Sequence, residues 1–386
     1  MKVLMISRTP THPTIAGNCW GILTMTKTLQ QLGAEVFFLY IDERGLRPDS
    51  RVESQRNYEE TKAYWKDYFF EYKLTKLQKA YRNVLKRVRQ KLNGYQQGLY
   101  DEYPWRLHRK INELDRKYHF DVCIVNYFFL TKAFKFIDIV KKACFTHDVF
   151  AYKNLVVGEK CMWVDAAQEA RAMQLCTDIF TVQDIEMHYF QVLSPQSHFY
   201  NIYSKYEYRP QSIVGNKCIV FLSGSNVYNQ NGLSWFLYSV FPLIRQHFPD
   251  ARLLIGGGIC KVIKGKVEGM KGVELKGYVE DPYTFYNQGD VAINPTYQGT
   301  GLKIKTFEAI ANDKVTMVHP HSMNGVFHSD ETPLFASDKP EDWVSYLDVI
   351  WANPEEIIKI KKRNGEYLAK MNEFIISEYK RFLNYQ

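Results

Sequence analysis

One short segment of this sequence combines residue types that could bind a phosphorylated ligand. It reads YQGTGLKIKTFEAIAND and contains Gly299, Gly301, Lys303, Lys305 and Glu308. The glycines loosen the backbone just before a helical pattern, so free N–H groups and the positive end of a helix dipole would point at an anion. The lysines would add positive charge beside those amides, and the glutamate could accept hydrogen bonds from hydroxyl groups of the same ligand. The segment therefore predicts a nucleotide or nucleotide-sugar site.

The elements around this segment fit the prediction but leave a plainer alternative open. The letters DVAINP indicate a short buried strand that ends at Pro295. Helix-forming residues then run from Lys305 to Asn312, with Phe307 and Ile310 on one apolar face. A crossover whose glycines only turn the chain, and whose lysines lie in solvent, would use the same residues. The rest of the chain must decide between the two interpretations.

Strand-like and helix-like segments alternate along both halves of the chain. The first half opens with the strand KVLMIS, a helix from about Cys19 to Leu32 and the strand AEVFFLYI, while residues 51–117 are predicted to be helical and charged. Residues 204–217 lack a regular pattern and are the predicted linker. A second alternating set runs from CIVFLSG to VTMVHP. This pattern predicts an α/β protein with two Rossmann-like, doubly wound domains that face a central cleft, and ligands at the carboxyl ends of the strands.

Length and composition fit two packed domains and disfavour several classes of protein. The chain has 386 residues, of which 46% are hydrophobic and 15% aromatic, and the aromatic residues would serve either cores or surfaces that stack on sugars and bases. The seven cysteines lack C-x-x-C spacing, which favours reduced core thiols over a metal or redox site. The opening strand lacks a following G-x-G-x-x-G, the nicotinamide fingerprint. No segment has the pattern of a signal peptide or the length of a membrane span, so we expect a cytoplasmic location.

A strongly basic segment lies in the first half of the chain. The formal net charge is +8, and residues 72–91 include eight Lys or Arg and no acid. The apolar residues of this segment fall on one stripe of a predicted helix: Leu74, Leu77, Tyr81, Val84, Leu85, Val88 and Leu92. Lys73–Lys91 would fit an anionic membrane surface or an acidic or phosphorylated acceptor. A helix packed by its stripe, with its lysines in water, is the alternative, and nucleic acid is disfavoured because no binding module surrounds the segment.

At this point the sequence resembles a known family. The stretch from FLSGSNVYNQNG to LLIGGG, followed by VELKGYVEDPYTFYNQGDVAINPTYQGTGLKIKTFEAIA, is similar to the C-terminal half of retaining glycosyltransferases of family 4, which have the GT-B fold. The resemblance is specific from Cys218 to about Pro320. It is weaker in the first half, where AGNCWG, THDV and EARAMQLCTDIFTVQ are similar in kind.

The resemblance implies domain boundaries. We expect an N-terminal, acceptor-side domain at residues 1–205 and a C-terminal domain that binds the nucleotide sugar at residues 206–367. In this fold the last helix commonly returns to the first domain, so we expect a helix at about 368–386 to pack there.

The resemblance also implies roles for individual residues. Glu308 matches the second glutamate of the family's E-x7-E motif, which holds the ribose hydroxyls of the nucleotide sugar. Gly301 and Leu302 match the backbone amides that meet the diphosphate. Gly17 sits where the family's first glycine loop approaches the donor, and His147 where many members place a histidine near the donor sugar. Two further loops lie around the base and near the phosphates: Gly277, Tyr278 and Val279, and Ser223, Gly224 and Ser225.

The sequence departs from the family pattern in two ways. Eight positions before Glu308 the family has another glutamate, whereas this chain has Thr300, which can hydrogen bond but cannot supply a carboxylate nucleophile. The Arg and Lys that follow the first strand of this domain in the family are missing, and the loop reads GSNVYNQNG. We therefore expect Lys303, Lys305, the turn amides and the helix dipole to balance the leaving-group charge. Of the two lysines we favour Lys305, because it lies nearer the start of the helix.

The activity implied by the resemblance is transfer of a sugar, with retention of configuration, from a nucleoside diphosphate sugar to a glycan, lipid-linked or protein-linked acceptor. UDP is the expected nucleotide. There is no D-x-D triplet, so we expect no metal and no cofactor beyond the donor. The expected process is assembly of surface polysaccharide or glycoconjugates, in the cytoplasm or peripherally at the inner face of the membrane. A nucleotide-sugar epimerase or hydrolase on the same fold, and a non-catalytic glycan-binding or nucleotide-binding module, remain alternatives.

Overall fold

The computed structural model of this chain describes residues 1–14, 17–44, 51–92, 99–101, 103–152 and 164–384, apart from the side chains of residues 51–53, 79, 89 and 90. The chain divides into two compact units. Unit 1 comprises Met1–Ser204 and Ile375–Gln386, and unit 2 comprises Lys205–Phe374. Each unit is built around its own parallel sheet.

Unit 1 contains a sheet of seven described strands. These are β1 (Lys2–Ser7), β2 (Glu35–Asp42), β3 (Phe69–Lys73), β4 (Val122–Asn126), β5 (Lys141–Phe145), β6 (Asp178–Thr181) and β7 (His198–Asn201). The α-helices between them are α1 (Gly17–Gln31), α2 (Arg51–Trp65), α3 (Lys76–Leu92), α4 (Leu107–Tyr118), α5 (Ala166–Met173) and α6 (Asp184–Leu193). The spatial order is β3-β2-β1-β4-β5-β6-β7. The order reverses between β1 and β4, and ligands of open α/β sheets bind at the carboxyl ends of strands at such a point.

Unit 2 also contains a parallel sheet, with six described strands. They are β8 (Cys218–Leu222), β9 (Arg252–Gly256), β10 (Val273–Gly277), β11 (Val291–Asn294), β12 (Val315–Val318) and β13 (Phe335–Ala336). The α-helices are α7 (Val227–Trp235), α8 (Phe241–His247), α9 (Ile259–Val267), α10 (Pro282–Tyr286), α11 (Ile304–Ala311), α12 (Pro340–Ala352) and α13 (Pro354–Asn384), and a π-helical turn at Phe236–Val240 joins α7 to α8. The last part of α13, from Ile375, belongs to unit 1. The order β10-β9-β8-β11-β12-β13 reverses between β8 and β11.

The continuous apolar runs in the sequence are explained by sheets that are covered on both faces. In β1, Val3, Leu4, Met5 and Ile6 are all 0% exposed, so neither face of this strand meets solvent. Parallel strands are buried in this way because their crossover helices lie on both faces of the sheet. The prediction of two Rossmann-like parallel sheets is confirmed.

Three elements differ from the sequence-based expectation. Residues 51–117 are not wholly helical, because β3 pairs with β2 at the sheet edge, Phe69 opposite Phe38. The helix α9 was not predicted, because lysines and Gly265 interrupt the sequence pattern of its apolar face, which consists of Ile259, Ile263 and Val267. The last helix, α13, is 31 residues long and starts well before residue 368. Residues 385–386 of the predicted C-terminal helix lie outside the described residues.

The irregular segment that follows residue 204 is fixed to unit 2 through Asp313, which is 2% exposed. The carboxylate accepts hydrogen bonds from the hydroxyl of Tyr208 (2.8 Å) and the backbone amide of Gln211 (3.0 Å). Lys361 forms an ion pair with the same carboxylate at 3.2 Å. A buried carboxylate with several donors holds its neighbours in place. Asp313 thereby joins the segment to the C-terminal end of α11, the helix after the glycine turn.

We expect Gly257→Ala to destabilise the protein strongly. Gly257 has a φ of +93°, and a Cβ there would lie 2.4 Å from the carbonyl oxygen of Ser223. Strain of this kind costs about 1–3 kcal/mol, so the melting temperature measured by circular dichroism should fall by several degrees. Gly265→Ala is the matched control: this position lies in α9 with nothing within 4 Å of the new Cβ, and the change should stabilise slightly. Equal melting temperatures for the two variants would contradict the assigned backbone.

Candidate active site

The glycine turn after β11 adopts a backbone that requires glycine at two positions. Gly299 has a φ of +94° and Gly301 a φ of +75°. A Cβ on Gly299 would also lie 3.1 Å from the ring of Tyr228. His321 donates through Nε2 to the carbonyl of Gly299 at 2.9 Å, and His319 accepts the amide of His321 through Nδ1 at 3.1 Å. Both histidines therefore hold the turn in shape.

The turn presents backbone donors just before α11. Among the described residues, the amides of Gly301 and Leu302 have no acceptor, whereas the amide of Ile304, the first residue of α11, lies 3.1 Å from the carbonyl of Leu302. Both amides lie within three residues of the first residue of α11, where the helix dipole adds positive potential. These two amides are the ones that the family resemblance predicts for a diphosphate. Their position before α11 fits that prediction.

The two lysines that sequence reasoning singled out have different surroundings. Lys303 donates to the carbonyl of Gly301 at 2.9 Å and lies 3.4 Å from the carbonyls of Gly299 and Thr300, so its ammonium group closes the turn. Lys305 instead donates to Oδ1 of Asn229 and lies 3.4 Å from the hydroxyl of Thr296. The ammonium group of Lys303 thus lies against backbone carbonyl oxygens of the turn, whereas that of Lys305 faces the loop after β8.

The surroundings of Lys305 lower the pKa of its ammonium group. Burial lowers the pKa of Lys305 to about 7, and the charge of Lys303 acts in the same direction. Its ammonium nitrogen also lies 5.9 Å from the centre of the ring of Phe221. A cation in partly apolar surroundings is stabilised strongly by an anion that enters them. Lys305 is therefore suited to a bound phosphate.

Glu308 lies on α11 one turn beyond Ile304 and is half-buried. Burial raises the pKa of Glu308 to about 7, and Lys305 offsets part of this rise. Burial and the charge of Glu308 also raise the pKa of the phenols of Tyr206 and Tyr286. No hydrogen bond from another described residue to the Glu308 carboxylate is recorded, so its oxygens can accept hydroxyl donors of a ligand.

The loop after β8, Ser223–Ser225, is joined to Lys305 by a residue that the sequence did not single out. Asn229, on α7, donates to the carbonyl of Gly224 at 3.1 Å and accepts from Lys305. The start of α7 is capped by Asn226, whose side chain accepts from the amide of Asn229 at 2.9 Å. Several asparagines lie close together in this part of the sequence, and only the folded structure shows which of them contacts Lys305.

The three residues predicted to lie around the base, Gly277, Tyr278 and Val279, differ in their exposure and orientation. Tyr278 follows β10 and is 81% exposed, so its ring is available for stacking. Val279 instead points inward: a Cβ on Gly256 would lie 2.7 Å from a methyl group of Val279. Gly277 has a φ of +71° and its carbonyl accepts the amide of Gly257 at 2.7 Å. Tyr278 is therefore the one of the three whose side chain offers a ligand surface.

In unit 1 the predicted residues lie at the start of α1 and after β5. Gly17 is the first residue of α1, and Asn18 beside it donates to the hydroxyl of Tyr127 at 3.1 Å. His147 follows β5, with its ring 4.5 Å from that of Tyr127. Tyr127 and His147 have φ values of 70° and 64°, which are uncommon for residues other than glycine. Such backbone conformations cluster at functional sites.

The hydrogen bonds around His147 define its protonation. Asn126 donates through Nδ2 to the carbonyl of Ile6 at 3.0 Å and lies 3.0 Å from the sulfur of Met5. This fixes its Oδ1 toward His147, at 2.9 Å from Nε2, so that Nε2 must carry the proton. Burial lowers the pKa of His147 to about 3. The imidazole is therefore neutral, with an acceptor lone pair on Nδ1.

Part of the chain matches a known family. Residues 216–353 match the family model described as Glycosyl transferases group 1. The matched segment lies within unit 2 and contains the glycine turn, Lys305, Glu308 and Asn229.

A curated relative matches over a short stretch. It is a 44.6 kDa protein in the cps region of Klebsiella pneumoniae, with 29% identity over 92 residues. The alignment covers 22% of this chain and 24% of that relative, so the chain matches about a quarter of the relative's length.

Solved structures resemble the chain over its whole length. Sucrose-phosphate synthase from Thermosynechococcus elongatus has a TM-score of 0.69 and 13% identity, with 99% of this chain and 98% of that chain covered. A TarM variant of S. aureus, in complex with fondaparinux, alpha-GlcNAc-glycerol and UDP, has a TM-score of 0.65 and 10% identity over 100% of both chains. Anabaena HepE with UDP and glucose has a TM-score of 0.63 and 10% identity, covering 99% and 98%. These likenesses show the fold, which is GT-B. None of the described helices is both long and apolar enough to cross a bilayer.

We expect His147 to remain neutral with its proton on Nε2 down to about pH 4, because its pKa is lowered to about 3. Long-range proton–nitrogen NMR spectra distinguish the two ring nitrogens, and the signals missing from His147→Gln identify this residue. In Asn126→Asp, the new carboxylate should raise the His147 pKa by about 1–3 units. A proton found on Nδ1, or a His147 that titrates near pH 6.5 in the parent, would overturn this assignment.

Proposed function

We propose that this protein is a glycosyltransferase that moves a sugar from a nucleoside diphosphate sugar to a hydroxyl group of a glycan, lipid-linked or protein-linked acceptor. The observation that carries the proposal is the arrangement around α11 in unit 2. Two turn amides that have no acceptor among the described residues, together with the Lys305 ammonium group, offer positive charge to a diphosphate. Glu308, one helical turn beyond the first residue of α11, offers a carboxylate to a diol. The match of residues 216–353 to Glycosyl transferases group 1 supports it.

The donor would be held at three places in unit 2. The diphosphate would accept hydrogen bonds from the amides of Gly301 and Leu302, with Lys305 supplying the mobile charge. The ribose would donate to Glu308, and the base would stack near the exposed ring of Tyr278. Ser223–Ser225 would line the phosphates, since Asn229 ties that loop to Lys305. UDP is the proposed nucleotide because TarM and HepE, which share the fold, were solved with UDP.

The chemical step needs stabilisation of a leaving diphosphate. The bond from the anomeric carbon to the β-phosphate oxygen breaks, and its electron pair leaves with the nucleotide. The acceptor oxygen bonds to the anomeric carbon, and its proton passes to the departing phosphate oxygen. Lys305 and the turn amides would neutralise the developing charge without a D-x-D-bound metal. The retaining outcome follows the resemblance to family 4, and Thr300 offers no carboxylate for a covalent intermediate.

Unit 1 would serve the sugar and the acceptor. A neutral His147 with a lone pair on Nδ1 can accept a hydrogen bond from a sugar hydroxyl but cannot donate a proton to the leaving group. We propose surface polysaccharide or glycoconjugate assembly in the cytoplasm as the process. The short match to a protein in a cps region supports it.

The missing carboxylate at Thr300 favours a second candidate, a non-catalytic module that binds a nucleotide or a glycan. Incubation of the protein with UDP-sugars, with and without glycan acceptors, separates the possibilities. A glycosylated acceptor supports the proposed transferase, and its anomeric configuration reports retention. Free sugar without an acceptor product identifies a hydrolase, an altered sugar nucleotide an epimerase, and binding without turnover the non-catalytic module.

We expect UDP to raise the melting temperature of the parent and to raise that of Glu308→Ala by half as much or less. A ligand that binds only the folded state stabilises by about 2.7 kcal/mol at 100 times its dissociation constant. Loss of hydrogen bonds from the ribose to a carboxylate should weaken binding by about tenfold to a hundredfold. Glu308→Gln keeps one acceptor oxygen and should fall between the two. Glu268→Ala removes an exposed acid and serves as the matched control; equal shifts in Glu308→Ala and Glu268→Ala would contradict the ribose assignment.

We expect UDP binding to take up a proton above pH 7. The pKa of Lys305 is lowered to about 7 in the free protein, and a bound diphosphate would raise it. Below pH 7 the ammonium group is already charged, whereas above it the proton must be added on binding, and the affinity should fall by up to about tenfold per pH unit. Isothermal titration between pH 7.5 and 9, in two buffers that differ in ionisation enthalpy, measures this uptake.

Lys305→Arg provides the control for the pH dependence. Arginine remains charged throughout this pH range, so binding should persist and the slope should disappear. Lys276→Arg changes an exposed lysine that pairs with Glu274 and should leave the slope as it is in the parent. The proposal fails at this residue if Lys305→Arg retains the parent's proton uptake.

A further inference from the structure

The helix α3 in unit 1 turns its apolar side to solvent. Leu77 is 83% exposed, Val84 59% and Leu92 78%, and between them Tyr81 and Val88 are each 49% exposed. These five residues follow one another at intervals of three or four, so they form one continuous stripe. Of the residues on the predicted stripe, Leu74 is buried and Leu85 half-buried. The alternative in which the stripe packs inward is therefore wrong for most of its length.

The polar side of α3 contacts the protein instead. Gln78, Arg82 and Lys86 are half-buried, and Arg82 forms an ion pair with Glu43 at 2.7 Å. A helix on the surface of a water-soluble protein ordinarily packs by its apolar stripe. Here the ion pair holds the polar side of α3 against the protein, and every residue of the stripe is at least 49% exposed.

Aromatic residues extend the exposed stripe. The ring of Tyr81 meets that of Trp105 edge to face at 5.1 Å, and Trp105 is 42% exposed. Arg106 lies 5.4 Å from the centre of the Trp105 ring. Tryptophan and tyrosine beside basic residues are typical of the boundary between lipid headgroups and acyl chains.

The charge of α3 identifies the partner. The helix contains seven Lys or Arg and no acidic residue. Among its basic side chains, Lys76, Arg87 and Lys91 are exposed, next to the stripe. A partner must therefore accept aliphatic side chains and carry negative charge. Nucleic acid carries negative charge, but its bases stack on aromatic rather than aliphatic side chains. An anionic bilayer both carries negative charge and buries aliphatic side chains.

We propose that α3 docks this protein on an anionic lipid surface. The stripe lies in the plane of the interface, about 5–10 Å deep at the boundary of headgroups and acyl chains. The flanking lysine and arginine side chains reach back to the headgroup phosphates. This docking goes beyond the proposed transfer reaction and does not depend on it.

The test is co-sedimentation of the full chain with vesicles of phosphatidylcholine alone or mixed with phosphatidylglycerol. The parent should bind the mixed vesicles and release them at high salt. Leu77→Gln with Val84→Gln should weaken binding by about tenfold or more, and Arg87→Gln with Lys91→Gln by about tenfold to thirtyfold. Val140→Gln with Val192→Gln is the matched control, because these valines are 82% and 81% exposed elsewhere in unit 1. All the changed residues are exposed, and circular dichroism verifies that each variant folds.

Several outcomes would overturn the proposal. One is equal binding of the parent and the Leu77/Val84 variant to mixed vesicles. Another is equal binding of the parent to vesicles with and without phosphatidylglycerol. A third is a lipid-free dimer, seen by light scattering, that Leu77→Gln with Val84→Gln dissociates, since the stripe would then be covered by a second copy of the chain. Because vesicle binding requires no turnover, its failure leaves the proposed transferase activity untouched.

Discussion

The contact between the Lys305 ammonium group and Oδ1 of Asn229 is the interaction on which the candidate site in unit 2 depends. It joins the first turn of α11 to α7, and Asn229 in turn holds the carbonyl of Gly224 in the loop after β8. Two loops from neighbouring strands, β8 and β11, are thus fixed around one cation. The topology makes this possible because the strand order reverses between these two strands. An amide oxygen orients the lysine but does not neutralise it, so the positive charge stays available to a ligand.

The corresponding edge of unit 1 is organised around a neutral group. Asn126 again acts through its amide, but here its oxygen accepts from His147 and its nitrogen is held by Ile6 and Met5. Burial then keeps the imidazole uncharged. The two sheets therefore offer different chemistry at equivalent places. Unit 2 offers a cation and backbone amides that have no acceptor among the described residues, and these groups suit phosphates. Unit 1 offers a hydrogen-bond acceptor and aromatic rings, which suit sugar hydroxyls and ring faces.

Sequence reasoning works where a local pattern determines the structure. The buried strands and the glycine turn are local, and the positive φ values of Gly299 and Gly301 are of a kind that glycine adopts readily. Contacts between residues that are far apart in the chain cannot be predicted from a local sequence pattern. Asn229 is one of several asparagines in its loop, and only packing brings it to Lys305, 76 positions away. The orientation of α3 depends on Glu43 in the same way, since periodicity predicts an apolar stripe but not the direction in which it faces.

A lysine whose pKa is lowered to about 7 is costly to keep in a protein interior unless something offsets its burial. The described residues around Lys305 give it an amide, a hydroxyl and an aromatic face, and Glu308 is the acid that raises its pKa. The lowered value means that these groups only partly compensate the loss of water. An anion that enters the site would complete the compensation, because its attraction acts in surroundings that already exclude much of the solvent. With Thr300 in place of a carboxylate, no negative side chain at that position opposes the anion. The same residues that make the unliganded site unfavourable for a charged lysine therefore favour a phosphate, and most strongly one that gains charge as a bond breaks.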